Sequence, residues 1–428
     1  MNMIVDSKGS ELEIFERLES RVRTYSRSFP RIFKSARGSL MVDEAGRQYI
    51  DLLSGAGALN YGHNNPEFKA VLLSYLNGDG IVHGLDLATV AKRDFIDTFE
   101  RLILKPRDMT YKLQFTGPTG TNAVEAALKI ARKATGRSSV LFFTNAFHGA
   151  TLGAVAATGN RHYRSAAGLP ASGTVVMPYD GYLGEGIDTA EYLEKALSDP
   201  SSGVDLPAAV IVETVQGEGG INVARTNWLL SVQATCRKHG VLLIVDDIQM
   251  GCGRTGSFFS FDQAGLAPDI VTLSKSLSGY GLPFALVLLR PGLDCWEPGQ
   301  HTGTFRGNNL AFVAATAALN IYWADSRFAE AVSRKGEMLR HRLEQMAGRT
   351  NGLISIRGRG LVQGVDCGSG AVAKAITGRA FQSGAIIETC GSDDQVIKFL
   401  PALTIDDDML EMGIDILEEA LRQVVAHL

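Results

Sequence analysis

Short apolar runs recur through the middle of the chain and are separated by amphipathic stretches. The clearest runs are Val241–Val245 and Ile270–Leu273, and a third is Ala208–Glu213. Each run is rich in β-branched residues and is followed at once by polar residues, which is typical of strands buried in a parallel sheet. The segment Ser231–Lys238 has the pattern of a helix that crosses back to the next strand. These elements predict an α/β fold built on parallel strands.

Both ends of the chain have patterns of their own. Ser39–Val42 and Tyr49–Leu53 flank the polar turn Asp43–Gly46, which predicts a β-hairpin. The C-terminal segment alternates strands with helices, and one of its predicted strands is Val396–Leu400. The last helix has an apolar face formed by Leu410, Ile414, Leu417, Leu421, Val424 and Leu428.

The length of the chain predicts two domains. With 428 residues it is too long for one ordinary hydrophobic core. We expect residues 61–320 to form a large domain, and residues 1–60 and 321–428 to form a small domain together. The composition, 45% hydrophobic and 21% charged, is that of an ordinary globular protein.

The charge balance and the cysteines limit the partners and the compartment. A formal net charge of −4 argues against nucleic acid or an anionic membrane as a partner. The five cysteines lack any Cys-x-x-Cys pair, which is typical of free thiols in a reducing cytoplasm and not of disulfides or a zinc site. No secretory signal is recognisable, and no apolar run approaches the roughly 18 residues that span a bilayer. We therefore expect a cytoplasmic protein without a metal site.

Two of the predicted strands deliver charged residues at their carboxyl ends, where ligands bind in open α/β sheets. Asp246 follows the first run and Lys275 follows the second. A buried lysine has a lowered pKa, which is what an amine needs to form a Schiff base. Pyridoxal phosphate requires such a lysine, and it also requires a carboxylate against its pyridine nitrogen. The pair therefore indicates pyridoxal phosphate.

Each of these residues also has a simpler interpretation. Taken singly, Lys275 would be a surface lysine and the aspartates would cap a helix. Asp246 and Asp247 face opposite sides of a strand, so only one of them can reach a cofactor. The combination of acid and amine on neighbouring strands favours the cofactor.

The motifs around these residues resemble the class III aminotransferases. They are VDDIQMGCGRTG at residues 245–256 and PDIVTLSKSLSGYGLP at residues 268–283, and the resemblance extends from about Phe29 to the C-terminus. It implies a fold type I pyridoxal-phosphate-dependent transferase, with a mainly parallel seven-stranded sheet in the large domain and a smaller α/β domain. In such an enzyme Lys275 and Asp246 would be catalytic, and Gln249 would bind the cofactor's phenolic oxygen.

The same resemblance assigns further residues to the cofactor. Gly120 and Thr121 lie in a glycine-rich turn before a helix, where free amides and the helix dipole favour a phosphate. Alone, such a turn is most often only a connector, and Asn122 departs from the glutamate usual in the family. Phe147 would stack on the pyridine ring, and His148 is expected to be structural. Thr304 would reach the phosphate of a neighbouring subunit, which implies a homodimer or a higher homo-oligomer.

Three residues are candidates for substrate binding. Glu213 matches a family glutamate that holds a substrate-binding arginine aside. Arg306 replaces a glycine and would place a cation beside a phosphate or carboxylate. Lys398 stands where much of the family has an arginine that clamps a carboxylate. The alternative for Lys398 is a solvated lysine at a strand end.

These variants make the chain similar to the branch of the family that acts on 2,4-diaminobutyrate in ectoine biosynthesis. The expected reaction moves an amino group between L-glutamate and L-aspartate 4-semialdehyde. Another ω-aminotransferase, acting on ornithine, acetylornithine or γ-aminobutyrate, is the nearest alternative. A mutase or decarboxylase on the same scaffold is a second. A nicotinamide oxidoreductase is a third, although the chain has no dinucleotide-binding fingerprint.

Overall fold

The computed structural model describes residues 12–426, so the predicted apolar position Leu428 lies outside the described residues. The helices are α1 (Glu13–Leu18), α2 (Tyr25–Ser28), α3 (Ser54–Gly57), α4 (Pro66–Asn77), α5 (Val90–Phe99), α6 (Gly120–Thr135), α7 (Leu152–Ala156), α8 (Arg161–Ser165), α9 (Thr189–Ser198), α10 (Thr226–His239), α11 (Asn309–Tyr322), α12 (Arg327–Gly348), α13 (Gly370–Gln382) and α14 (Asp407–Val425). The strands are β1 (Phe33–Arg37), β2 (Leu40–Asp43), β3 (Gln48–Asp51), β4 (Lys112–Phe115), β5 (Val140–Phe143), β6 (Thr174–Met177), β7 (Ala209–Val212), β8 (Val215–Gln216), β9 (Asn222–Val223), β10 (Leu242–Asp246), β11 (Ile270–Leu273), β12 (Leu286–Leu289), β13 (Ser355–Arg359), β14 (Val362–Asp366), β15 (Ala385–Ile386), β16 (Glu388–Cys390) and β17 (Val396–Phe399).

The largest sheet has seven strands in the order β4-β12-β11-β10-β7-β5-β6. β12 runs antiparallel to both of its neighbours, and the other pairs are parallel. The predicted α/β fold with a mainly parallel seven-stranded sheet is therefore confirmed. β10 and β11 lie side by side in the middle of the sheet, with Asp246 opposite Thr272. Their carboxyl ends consequently meet at one edge.

The apolar runs are continuous because these strands are buried on both faces. In β10, Leu243 and Val245 belong to one hydrophobic core, which also contains side chains of α10 and α11. Leu242 and Ile244 point to the opposite face and pack in a second core with α6. The alternation along the strand thus fixes the two helical layers around the sheet.

The chain ends come together in a separate part of the molecule. β2 and β3 form the predicted hairpin, and β15 from the C-terminal segment pairs in parallel with β3. A further sheet has the order β13-β14-β17-β16. Beside these strands, α12 and α14 pack in a core of their own. The ends thus share one sheet, although the domain boundaries at residues 60 and 320 stay a prediction.

Arg254 links the loop after β10 to this C-terminal part. The side chain is fully buried, and its guanidinium donates to the backbone oxygen of Leu361 at 3.0 Å and to Asn60 Oδ1 at 2.6 Å. These hydrogen bonds fix the position of the C-terminal sheets relative to the carboxyl edge of the large sheet. Across residues 12–426, we find no helix with the length and apolar character that a bilayer span requires.

Candidate active site

A cavity of about 270 Å³ lies at the carboxyl ends of β10 and β11. The predicted site residues that line it are Gly120, Thr121, Phe147, Glu213, Asp246, Gln249 and Lys275. They come from five separate segments of the chain, which the parallel sheet brings to one edge.

Asp246 is the acid at this cavity, and its carboxylate is held by three groups. His148 Nδ1 lies 2.7 Å from its Oδ2, and the Ile248 amide and the Thr272 hydroxyl each donate to Oδ1 at 3.2 Å. Burial alone would lower the pKa of His148, but its hydrogen bond with Asp246 and the charge of that carboxylate outweigh burial and raise the pKa. His148 therefore fixes and electrostatically supports Asp246, in agreement with a structural histidine.

Asp247 points to the other side of the strand and does not line the cavity. Its carboxylate accepts the backbone N–H of Ser260 at 3.1 Å. Burial raises the pKa of Asp247 to about 7. Of the two adjacent aspartates, Asp246 alone therefore lines the cavity that contains Lys275.

Lys275 follows β11 after a single serine and begins a short 3-10 turn that ends at Ser278. Its φ of 47° lies in the left-handed region, which is unfavourable by about 1–2 kcal/mol for a residue with a side chain. Burial lowers the pKa of Lys275, against the opposing negative charge of Glu218. The next residue, Ser276, fixes the turn, since its hydroxyl donates to the backbone oxygen of Gly57 at 2.8 Å. The lowered pKa makes this amine a nucleophile.

The first turn of α6 forms another wall of the cavity. Thr119 caps the helix, and its hydroxyl donates to Asn122 Oδ1 at 2.8 Å. Asn122 therefore completes the cap. It occupies the position where the family usually has a glutamate. The first amides of a helix have no partner inside the helix and point outward, which suits an anion such as phosphate. Gly120 has no side chain to crowd this wall, whereas an added Cβ would lie 3.0 Å from the Ile248 side chain.

Glu213 lies deep in the cavity, but it does not hold a cation aside. Its carboxylate accepts the backbone N–H of Phe147 at 3.0 Å and that of Gly217 at 3.4 Å. Burial raises the pKa of Glu213 to about 7. The prediction for Glu213 is therefore wrong, because its partners are backbone amides that shape the loop under the Phe147 ring. The ion pair belongs to Glu218, five residues further on.

Lys398 is fully buried, so the alternative of a solvated strand-end lysine is wrong. Its Nζ lies 2.6 Å from Glu218 Oε1 and 3.0 Å from Glu388 Oε1. Burial disfavours the charged lysine, but the two carboxylates outweigh it and raise the pKa of Lys398 well above its usual value. Lys398 does not itself line the cavity, whereas Glu218 does. Glu218 therefore stands between Lys398 and the cavity that holds Lys275.

Thr304 and Arg306 lie in a loop away from this cavity. Thr304 is exposed, and the Arg306 guanidinium pairs with Asp86 Oδ2 at 2.7 Å. Neither residue lines the cavity of its own chain. Their predicted contacts with a phosphate or carboxylate therefore depend on a second subunit.

Sequence reasoning missed Glu218 and Glu388 as site residues. Glu218 stands in the turn Gln216–Gly220, where the glycines on both sides of it are a signal of close packing. Glu388 pairs with Lys398 across neighbouring antiparallel strands. An opposite-charge pair at one register position is recognisable only after the strand pairing is known.

The cavity fits pyridoxal phosphate in its donor set and in its unsatisfied atoms. Lys275 supplies the amine, Asp246 the carboxylate and α6 the amides for a phosphate. Within the described range, Gln249 Oε1 and His148 Nε2 are buried and have no hydrogen-bond partner. Buried polar atoms without partners are uncommon in proteins and indicate a place for a ligand.

Known proteins match this chain over nearly its whole length. The family model described as Aminotransferase class-III matches residues 22–421. The diaminobutyrate–2-oxoglutarate transaminases of Bordetella parapertussis and Halomonas elongata are each 58% identical to the chain. The first match covers 97% of this chain and 96% of the relative, and the second covers 96% and 99%.

A solved structure gives the same assignment at lower identity. The ornithine aminotransferase of Toxoplasma gondii superposes with a TM-score of 0.84 at 28% identity, covering 97% of this chain and 95% of the other. The match excludes the nicotinamide oxidoreductase alternative. The chain thus belongs to the class III aminotransferases, whose cofactor is pyridoxal phosphate.

Proposed function

We propose that this enzyme moves an amino group between L-glutamate and L-aspartate 4-semialdehyde, giving 2-oxoglutarate and L-2,4-diaminobutyrate, the first step of ectoine biosynthesis. The observation that carries the proposal is the buried Lys398, paired with Glu218 at the edge of the cavity. Several relatives named diaminobutyrate–2-oxoglutarate transaminase, at 52–58% identity, support the same substrates. The reaction is reversible, since each half of a transamination runs in both directions.

The cofactor end of the cavity performs the proton chemistry. Bound pyridoxal phosphate supplies an electron sink for the reacting carbon. Lys275 Nζ carries the proton to and from the substrate carbon as general base and acid, and burial lowers its pKa, which favours this role. Asp246 keeps the ring nitrogen protonated, and His148 holds that carboxylate in place.

Four other residues hold the cofactor in this proposal. The amides of Gly120 and Thr121 receive the phosphate, and the Phe147 ring covers one face of the pyridine ring. Gln249 lines the same cavity, where its Nε2 donates to Ala56 O and Glu218 Oε1, both at 3.1 Å. These contacts fix the Gln249 amide, which would bind the cofactor's phenolic oxygen.

The substrate end supplies the charge that recognises a carboxylate. Lys398 offers a point charge in place of a planar guanidinium, so it fits a carboxylate without demanding a bidentate geometry. A substrate carboxylate reaches Lys398 Nζ when the Glu218 carboxylate moves away from it. Carboxylate binding therefore takes place apart from the proton transfer at Lys275. Arg306 would add a cation to the same cavity only from a second subunit.

The active unit is proposed to be a homodimer. Exposed apolar side chains surround the loop that carries Thr304, namely Ile81, Val82, Leu85, Leu87 and Phe305, and Phe305 is 66% exposed. The Phe305 ring packs edge-to-face on the His83 ring, with the ring centroids 5.2 Å apart. The loop and the segment 81–87 therefore form one surface. Exposed apolar surface of this kind fits burial against a second copy. We expect the dimer to be cytoplasmic.

Mixed dimers test the contact from the second subunit. A dimer of one Thr304→Ala chain and one Lys275→Ala chain keeps one complete site if Thr304 serves the partner. We expect such heterodimers, separated with two affinity tags, to recover activity that neither homodimer of variants has. Inactive heterodimers with normal assembly would contradict a shared site.

A panel of amino donors tests the reaction itself. The purified enzyme is supplied with 2-oxoglutarate and with L-2,4-diaminobutyrate, ornithine, acetylornithine or γ-aminobutyrate, and products are identified by mass spectrometry. We expect glutamate and aspartate semialdehyde to form fastest from diaminobutyrate. Consumption of a donor without glutamate formation would favour the mutase or decarboxylase alternative instead.

A further inference from the structure

A second cavity, of about 650 Å³, adjoins the cavity of Lys275. Glu218 lines both cavities. Phe147 lines the first cavity and Tyr163 lines the second. The centroids of their two rings lie 4.9 Å apart. A substrate that reacts beside Lys275 therefore extends its far end towards the second cavity.

The wall between the two cavities contains unequal buried charges. Lys398 lies between Glu218 and Glu388, so two carboxylates share one ammonium group. The Glu388 side chain is only 10% exposed and lines the second cavity. Its buried Oε1 lies 3.0 Å from Lys398 Nζ, yet within the described part of the chain it accepts no hydrogen bond of acceptable geometry. A cationic donor placed next to Glu388 would satisfy this oxygen.

We propose that Glu388 binds the α-ammonium group of L-2,4-diaminobutyrate and of L-aspartate 4-semialdehyde, and so selects them over substrates that lack this group. The inference rests on the proposed function. It assigns the α-carboxylate of these substrates to Lys398 and the α-ammonium to the carboxylate next to it. The α-carboxylate and the α-ammonium group of the substrate then contact Lys398 and Glu388 respectively, which lie opposite each other on neighbouring strands.

The surroundings of Glu388 suit a site that is filled only by a cation. Burial raises the pKa of Glu388, and the charge of Glu218 adds to this, against the attraction of Lys398. An ammonium group bound next to Glu388 would oppose both effects and favour the charged carboxylate. Burial and the charge of Glu388 also raise the pKa of the Tyr25 hydroxyl, which keeps Tyr25 neutral beside the site.

The two substrates of the reaction use this wall differently. Glutamate reacts through its α-amino group, so no free ammonium remains to meet Glu388, and its side-chain carboxylate needs Lys398 alone. γ-Aminobutyrate is diaminobutyrate without the α-amino group. Comparison of these three amino donors therefore isolates the contact made by Glu388.

The test is a set of single-turnover half-reactions of the holoenzyme with each donor alone, followed by the absorbance of the bound cofactor. In Glu388→Gln, the apparent affinity for diaminobutyrate should fall by about 10- to 100-fold, the usual range for a hydrogen bond to a charged group. The values for γ-aminobutyrate and glutamate should stay within about twofold, because neither presents an ammonium group there. Glu388→Asp, which keeps the charge, should retain part of the preference for diaminobutyrate.

Controls separate this role from a structural one. Asp394→Asn removes a charge at the exposed rim, where Asp394 pairs with Lys374 at 2.6 Å, and it should leave the preference unchanged. A parallel loss for all three donors in Glu388→Gln, or an unchanged ratio between diaminobutyrate and γ-aminobutyrate, would overturn the inference. A wild-type enzyme that does not react with diaminobutyrate would instead overturn the proposed function itself.

Discussion

The two ends of the active-site cavity are built in different ways. At the cofactor end, Asp246 and Lys275 lie at the carboxyl ends of adjacent parallel strands, and Thr272 of the neighbouring strand helps to hold Asp246. At the substrate end, Glu218, Glu388 and Lys398 come from a turn and from two antiparallel strands of another sheet. In the proposed function, the first arrangement performs the proton transfer and the second selects the substrate. Changes at the two ends should therefore have separable effects.

The largest expected effect is at the cofactor end. Lys275→Ala should abolish amino transfer, because among the described residues no other lysine lines the cavity to carry the proton or to hold the cofactor. Borohydride reduction of the wild-type holoenzyme, followed by peptide mass spectrometry, should label Lys275. Label on a different lysine would contradict the assignment of Lys275 to the cofactor.

Asp246→Asn should lower kcat by about 100-fold or more, corresponding to about 2.7 kcal/mol of transition-state stabilisation. A neutral amide cannot keep the ring nitrogen protonated, although the cavity would still bind the cofactor. Asp247→Asn is the matched control, since Asp247 is the same residue type on the other side of the strand and does not line the cavity. A severe loss in Asp247→Asn with normal turnover in Asp246→Asn would exchange their roles.

Lys398→Ala should act chiefly on substrate binding, raising KM for glutamate and diaminobutyrate by about 10- to 100-fold. It should spare the cofactor's absorbance, because Lys398 does not line the cavity of Lys275. It also leaves two buried carboxylates without their cation, so the free energy of unfolding should fall by about 3–5 kcal/mol. Lys398→Arg keeps the charge and is the control. Unchanged KM values in a folded Lys398→Ala variant would contradict the assignment of the substrate end.

The smallest effect concerns pH and a residue outside both ends. Burial raises the pKa of Asp247 to about 7, above its ordinary 3.8, so the folded state favours the protonated carboxyl. That stabilisation is complete below the ordinary pKa and is lost as the pH rises through about 7. Between about pH 5 and pH 8, the free energy of unfolding of the wild type should decrease by on the order of 2 kcal/mol more than that of Asp247→Asn. Parallel urea-unfolding curves would contradict this.

The cofactor end could be predicted from sequence because its signals are local. Each buried strand is a continuous apolar run, and Asp246 and Lys275 follow such runs directly. Position along a strand then fixes position in space, since parallel strands share their carboxyl edge. The same pattern predicted an α/β fold with parallel strands, whereas the number of seven strands was implied by the family resemblance.

The substrate end could not be predicted in the same way. Whether Lys398 is solvated or buried depends on β14 and β16 lying on either side of β17, and no local pattern shows this pairing. The error at Glu213 has a similar origin. The prediction named Glu213 alone, and only the turn that follows it places Glu218 against Lys398.

Competition between amino donors in one tube tests the central claim most directly. The wild-type enzyme receives equal concentrations of L-2,4-diaminobutyrate, ornithine and γ-aminobutyrate with limiting 2-oxoglutarate, and the consumption of each donor is followed by mass spectrometry. Relative consumption measures the ratio of kcat/KM values. The account predicts that diaminobutyrate is consumed at least about tenfold faster than either competitor, a difference of about 1.4 kcal/mol in transition-state binding. Preferential consumption of ornithine or γ-aminobutyrate would contradict it.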